Sequence, residues 1–135
     1  MNRIRLVIAD DSEPTRYLLQ DLLKLDYLIV ASVGDGQAAV EAARQFKPEL
    51  VLLDISMPIL DGFEAAKQIK ELCPSTPLIF ISDHSETVYI EAAFSFGGSG
   101  YVVKSKMIAE LVPAIGRVLA GEEYGRPIPA RCSRL

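Results

Sequence analysis

Cysteine is scarce in this sequence and long apolar runs are missing. Only Cys73 and Cys132 occur among 135 residues, and they form neither a metal-ligand spacing nor a disulfide framework. A reducing compartment would keep both as thiols. No apolar run approaches the ~20 residues needed to cross a bilayer. The start, Met1-Asn2-Arg3-Ile4-Arg5, meets Asp10-Asp11 too soon for a secretory leader. The expected location is cytoplasmic, with no membrane contact. Positive charge is also in the minority, 14 Lys and Arg against 18 Asp and Glu for a net charge of -4. Such a surface is poorly suited to neutralising nucleic-acid phosphates. Internal repeats and low-complexity tracts are absent. What remains is 50% hydrophobic and 24% charged residues, the make-up of one globular domain that buries roughly two thirds of its unfolded surface.

Five short apolar runs recur at regular spacing: Leu6-Val7-Ile8-Ala9, Leu28-Ile29-Val30-Ala31, Leu50-Val51-Leu52-Leu53, Leu78-Ile79-Phe80-Ile81 and Tyr101-Val102-Val103. They are too short for helices and apolar on both faces, which predicts parallel strands covered by crossover helices. Helical stripes fill the gaps. Leu18, Leu19, Leu22 and Leu23 follow Asp11-Ser12, where either residue can cap a helix whose first turn tolerates Pro14. Ala39, Val40, Ala43 and Phe46 follow Asp35-Gly36. A third helix is expected over Asp61 to Leu72 and a fourth over Glu86 to Phe96. The fifth stripe is Ile108, Leu111, Val112, Ile115, Val118 and Leu119. Within it Pro113 costs ~3 kcal/mol outside a first turn and Gly116 ~1 kcal/mol, so regular helix is expected only from about Glu110. The outcome is a doubly wound (βα)5 α/β fold with a five-stranded parallel sheet, order 2-1-3-4-5. Residues 1–121 form the domain, and 122–135, with Gly125, Arg126, Pro127, Pro129, Arg131 and Arg134, read as a tail or linker.

Ligands in such sheets sit at the carboxyl ends of the strands, near the reversal of strand order between strands 1 and 3. Asp10 and Asp11 follow strand 1, Asp54 follows strand 3, Ser82 ends strand 4 and Lys104 ends strand 5. Carboxylates 4 Å apart repel by about 4 kcal/mol per pair at an effective dielectric near 20, so they take up protons or a cation. Mg²⁺ suits one or two carboxylates plus an incoming phosphate. An ionised Asp54 could then attack phosphorus and become an acyl phosphate, with Lys104 and the Ser82 hydroxyl contacting phosphoryl oxygens. Taken singly, each residue has an ordinary structural role, Asp11 as a helix cap and Lys104 as a solvated charge. Their coincidence at the strand ends favours a metal-assisted phosphate site.

With Ile8-Ala9-Asp10-Asp11, Leu52-Leu53-Asp54-Ile55-Ser56-Met57-Pro58, Asp61-Gly62, Ile81-Ser82 and Gly100-Tyr101-Val102-Val103-Lys104, the chain resembles a response-regulator receiver domain of two-component signalling. The resemblance runs from about Ile4 to Gly121 and implies a flavodoxin/CheY-like fold. It implies that Asp54 accepts a phosphoryl group from a histidine of a sensor histidine kinase. Asp11, Asp54 and the Ser56 backbone carbonyl would ligate Mg²⁺, with Asp10 acting through water or orientation. Ser82 and Lys104 would sense the phosphate, and Tyr101 would be a switch aromatic that turns inward. The surface of the fourth helix, fifth strand and fifth helix would respond. This implies a switch with at most self-catalysed phosphotransfer and autodephosphorylation, not a turnover enzyme. Pairing of two phosphorylated copies is a further partner class. No direct nucleic-acid contact is implied for this segment.

The fifth unit is similar to LuxR-type regulators, which usually carry a helix-turn-helix domain after a linker, and the Arg- and Pro-containing tail resembles the start of one. A stand-alone receiver acting by protein contact is the alternative. Asp83 departs from the family, which more often has a small or apolar residue there. Ser56, Asp83 and His84, the only histidine, are candidates for setting phosphate lifetime. A phosphatase of similar topology would want a carboxylate at position 56, where Ser stands. A flavin domain would want a hydroxyl-rich loop after strand 1. A phosphorylation-independent docking module fits poorly with a full acidic site.

Overall fold

A computed structural model describes residues 3–128. Cys132, Pro129, Arg131 and Arg134 lie outside the described residues. The elements alternate: β1 (Ile4–Ala9), α1 (Glu13–Leu23), β2 (Tyr27–Val33), α2 (Gly36–Phe46), β3 (Leu50–Leu53), α3 (Gly62–Leu72), β4 (Leu78–Ser82), α4 (Thr87–Ser95), β5 (Gly100–Val103) and α5 (Met107–Leu119), the last entered through a 3-10 turn at Lys104–Lys106. All strand pairs are parallel and the order is β2-β1-β3-β4-β5, as the continuous apolar runs require. Ser12, not Asp11, caps α1, accepting from the Thr15 N–H. Asp35 and Asp61 cap α2 and α3 in the same way.

Two cores flank the sheet. Val7, Val51, Leu53, Leu78 and Phe80 meet α2, α3 and α4 on one face. Leu6, Ile8, Leu52, Ile79 and Val102 meet α1 and α5 on the other. Burial on both faces explains why β1, β3 and β4 read as unbroken hydrophobic stretches. The same expectation fails for β2, whose residues are only partly covered and whose Leu28 is 41% exposed. It lies at the sheet edge, where the helices cover it incompletely.

The fifth helix also differs from expectation. It begins at Met107 and carries Pro113 in its interior. The proline frees the Ala109 carbonyl, and both residues are exposed, so water can take the place of the missing N–H. The inward stripe is Met107, Leu111, Ala114, Ile115 and Val118, while Ile108 and Val112 face outward at 69% and 46% exposure. Met107, the first residue after the 3-10 turn, takes the inward place expected for Ile108, while Leu111, Ile115 and Val118 keep theirs.

Past α5 the chain folds back onto the domain. Tyr124, within the stretch expected to be a tail or linker, bridges Gly100 in parallel fashion. Its N–H donates to the Ser99 carbonyl at 3.0 Å, and its carbonyl accepts from the Tyr101 N–H at 2.9 Å. An edge strand such as β5 carries unpaired backbone groups, and this segment satisfies the Tyr101 N–H together with the adjoining Ser99 carbonyl.

Candidate functional site

The carboxyl ends of β1, β3, β4 and β5 converge on a cleft of about 240 Å³, lined by Asp11, Ser12, Asp54, Ser56, Ser82, Asp83, His84 and Lys104. Asp54 stands immediately beyond β3. Its N–H donates to the Ala9 carbonyl at 2.9 Å, and its Oδ1 accepts from the Ile55 N–H at 2.8 Å. Behind it the chain turns sharply into α3, with the Gly62 N–H donating to the Ile55 carbonyl at 2.7 Å. A Cβ on Gly62 would lie 2.0 Å from the Asp54 carbonyl oxygen. Gly62→Ala is therefore expected to lower stability by about 1–3 kcal/mol, because the rigid neighbour is backbone. Denaturant unfolding checks this, and an unchanged midpoint would contradict it.

Asp10, Asp11 and Asp54 each offer a carboxylate oxygen within 4.8 Å of the others. Asp10 and Asp54 are buried at 1% and 4% exposure, whereas Asp11 is exposed. Asp10 Oδ1 accepts from the Ser12 N–H at 2.8 Å. Its Oδ2 lies 2.9 Å from Lys104 Nζ, but the approach is off the hydrogen-bond direction and the oxygen has no directed partner. Lys104 Nζ does donate to Asp54 Oδ2 at 3.2 Å. One ammonium thus faces three carboxylates, two of them buried. Burial, and next the charge of Asp10, push the Asp54 pKa up to about 6 against the pull of Lys104. Burial pulls Lys104 down, but its contacts with Asp10 and Asp54 outweigh this and leave it above its ordinary value. The uncompensated negative charge, the all-oxygen donor set and the undirected Asp10 Oδ2 fit a hard divalent cation.

Comparison with known proteins agrees with this geometry. A family model described as the response regulator receiver domain matches residues 6–116. The chain belongs to that family. It is similar to the uncharacterized transcriptional regulatory protein YxjL of Bacillus subtilis, 31% identical over 133 residues that cover 96% of this chain and 60% of YxjL. This receiver therefore spans less than two thirds of that relative's length. It is also 33% identical to the chemotaxis protein CheY of Halobacterium salinarum, covering 85% of this chain and 96% of CheY. Among solved structures, a LuxR-family two-component response regulator from Aurantimonas sp. SI85-9A1 superposes with a TM-score of 0.87 at 30% identity, covering 93% and 91% of the two chains. Receiver domains are phosphoacceptor switches that work with histidine kinases and bind Mg²⁺ at an acidic pocket. No helix among the described residues is long and apolar enough to cross a membrane.

In this receiver Ser82 is buried, and its Oγ accepts from the His84 N–H at 3.1 Å. The His84 carbonyl accepts from the Tyr101 hydroxyl at 2.7 Å. Tyr101 is 3% exposed, so its ring lies inward. The His84 ring stacks on Tyr89 with centroids 3.9 Å apart, and Nδ1 lies 3.8 Å from Glu86 Oε1. Ser56 and Asp83 are exposed at the cleft.

Sequence reasoning missed Arg16. Its N–H group donates to the Asp10 carbonyl at 2.6 Å, holding the acidic turn from the α1 side while the Asp10 N–H donates to the Val33 carbonyl. Arg16 is one helical turn beyond the Ser12 cap, on a face that curls back over the turn. That spacing was the available signal.

Proposed function

We propose that this receiver is a phosphoacceptor switch in which Asp54 takes a phosphoryl group from the phosphohistidine of a sensor histidine kinase. The observation that carries the reading is the buried Asp54 carboxylate at the cleft, hydrogen-bonded to Lys104 and flanked by Asp10 and Asp11. With a pKa near 6, Asp54 is mostly ionised at neutral pH and can act as the nucleophile. A carboxylate oxygen bonds to phosphorus as the bond from phosphorus to the donor imidazole nitrogen breaks, and the departing imidazole takes up a proton from solvent. Asp11, Asp54 and the Ser56 backbone carbonyl would hold Mg²⁺, with Asp10 acting through water or orientation. Bound there, the cation offsets the charge of the cluster and of the transferred group. Lys104 supplies a point charge to one phosphoryl oxygen and the Ser82 hydroxyl a hydrogen bond to another.

The new group brings a charge of about -1.5 to -2, and the response passes through Ser82 and Tyr101 to the surface formed by α4, β5 and α5. Ser56, Asp83 and His84 border the site and set phosphate lifetime. In the whole protein this surface controls a LuxR-type DNA-binding domain, a reading supported by the 60% coverage of YxjL and by the likeness to a LuxR-family regulator. The 96% coverage of CheY favours the second reading, a receiver that acts alone through protein contact, including contact between two phosphorylated copies.

The test is incubation with Mg²⁺ and a small acyl phosphate, followed by intact-mass and peptide analysis. One phosphoryl group per chain, on Asp54 and dependent on Mg²⁺, is expected. Absence of labelling, or labelling at His84, would overturn the proposal.

A further inference from the structure

The segment after α5 is held to the domain by more than its bridge to β5. The Arg126 guanidinium lies 4.5 Å over the Phe94 ring of α4. The same guanidinium donates to both carboxylate oxygens of Glu123, at 2.7 and 2.9 Å. Between them Gly125 adopts φ +88°, and a Cβ there would lie 2.4 Å from the Tyr101 carbonyl oxygen. Tyr124 packs against the core that includes α5. The segment therefore crosses the edge of β5 and touches both neighbouring helices.

One of its contacts is Tyr101, whose hydroxyl reaches the His84 carbonyl at the border of the cleft. Ser82 Oγ fixes the His84 N–H, the His84 carbonyl fixes the Tyr101 hydroxyl, and the Tyr101 N–H is fixed by the Tyr124 carbonyl. We propose that residues 122–128 form a strap whose closure on β5 is coupled to the occupancy of Asp54, so that a phosphoryl group there tightens the strap and fixes the direction in which the chain leaves the domain. The inference rests on the phosphoacceptor reading above. An acceptor oxygen for the Ser82 O–H immobilises its Oγ, and with it the His84 peptide that grips Tyr101 from one side. The strap grips Tyr101 from the other. One contact restrains the Tyr101 ring and the other its backbone N–H in β5, so that ordering either favours the other, and the coupling is reciprocal: the strap must strengthen binding at Asp54 by the same factor.

The full 135-residue chain is titrated with beryllofluoride in millimolar Mg²⁺, with amide hydrogen exchange read at Tyr101 and Tyr124. Exchange at both amides should slow on binding, by about fivefold or more. Gly125→Val, which drives a side chain into the Tyr101 carbonyl, should weaken beryllofluoride binding by a similar factor. Arg126→Ala, a change at an exposed side chain, should weaken it less and keeps the test valid if the valine variant folds poorly. If the native chain binds no beryllofluoride, the phosphoacceptor reading falls and this inference with it. If it binds but Tyr124 exchange and the affinity of the variants are unchanged, the strap alone is overturned. Movement of one without the other also overturns it, because linkage requires both.

Discussion

Asp54→Asn is expected to abolish phosphoryl uptake and, in metal-free buffer at pH 7.5, to stabilise the fold by about 1–3 kcal/mol. The first effect follows from chemistry: a neutral amide is not the nucleophile, and it cannot form the acyl phosphate. The second follows from electrostatics. Asp54 is 4% exposed and must ionise against desolvation and against Asp10, with Lys104 compensating only in part. A shift from 3.8 to about 6 corresponds to about 3 kcal/mol against the charged form. Asparagine escapes that cost, which is already net of the Lys104 attraction; the lower bound reflects the hydrogen bonding that an amide, unlike a neutral carboxyl group, must re-form in this buried place.

The pH dependence fixes the sign. The folded-state pKa is raised, so the folded protein binds the Asp54 proton more tightly than the unfolded chain does. Wild-type stability from this group is therefore lost as pH rises from about 4 to about 6. The advantage of Asp54→Asn should be largest above pH 6 and should close toward pH 4. Millimolar Mg²⁺ should also narrow it, by neutralising the cluster in the wild type. Urea unfolding at pH 5 and pH 7.5, with and without Mg²⁺, measures all of this. An asparagine variant less stable than wild type at pH 7.5 would show that the carboxylate is not under electrostatic stress.

The main site was legible because the apolar runs end abruptly in polar residues. In a sheet buried on both faces, a polar residue closing a hydrophobic run must sit at the rim, and strand order then brings Asp10, Asp11, Asp54, Ser82 and Lys104 to the same rim. The parts that escaped depend on contacts no periodicity encodes. Tyr124 pairs with Gly100 through its backbone and packs on the core as a single aromatic residue, so no periodic side-chain pattern announced it. Pro113 is tolerated in α5 because the helix face it occupies is wet, and exposure is a property of packing. Lys104–Lys106 form a 3-10 turn, and Met107, the first residue after it, takes the inward place that periodicity gave to Ile108. The inward seat of Tyr101 depends on its hydroxyl donating to the carbonyl of His84, seventeen positions away.

Lys104→Met should have the largest cost of any single change at the site. Methionine keeps the length and the apolar stem but removes the charge that lies 2.9 Å from Asp10 and 3.2 Å from Asp54. Deleting one partner of a buried charge cluster typically costs about 3–5 kcal/mol. Here part of that is recovered by protonation, because Asp54 loses the group that lowers its pKa and moves above 6. A loss of about 2–4 kcal/mol at pH 7.5 is expected, smaller at pH 5. Lys104 itself adds no slope in that range. Its pKa is raised in the folded state, so its contribution is complete at every pH below the ordinary lysine value and fades only as pH rises through the folded one. Any acid-side dependence of the variant therefore belongs to the carboxylates. Millimolar Mg²⁺ should restore more stability to Lys104→Met than it adds to the wild type, since cation and ammonium answer the same excess charge. Phosphoryl uptake should be slowed rather than lost, because Lys104 is neither nucleophile nor metal ligand in the proposed mechanism. A variant as stable as wild type without Mg²⁺ would mean that the acidic cluster is neutralised by a proton at neutral pH, which would also deny Asp54 the ionised form that phosphoryl transfer requires.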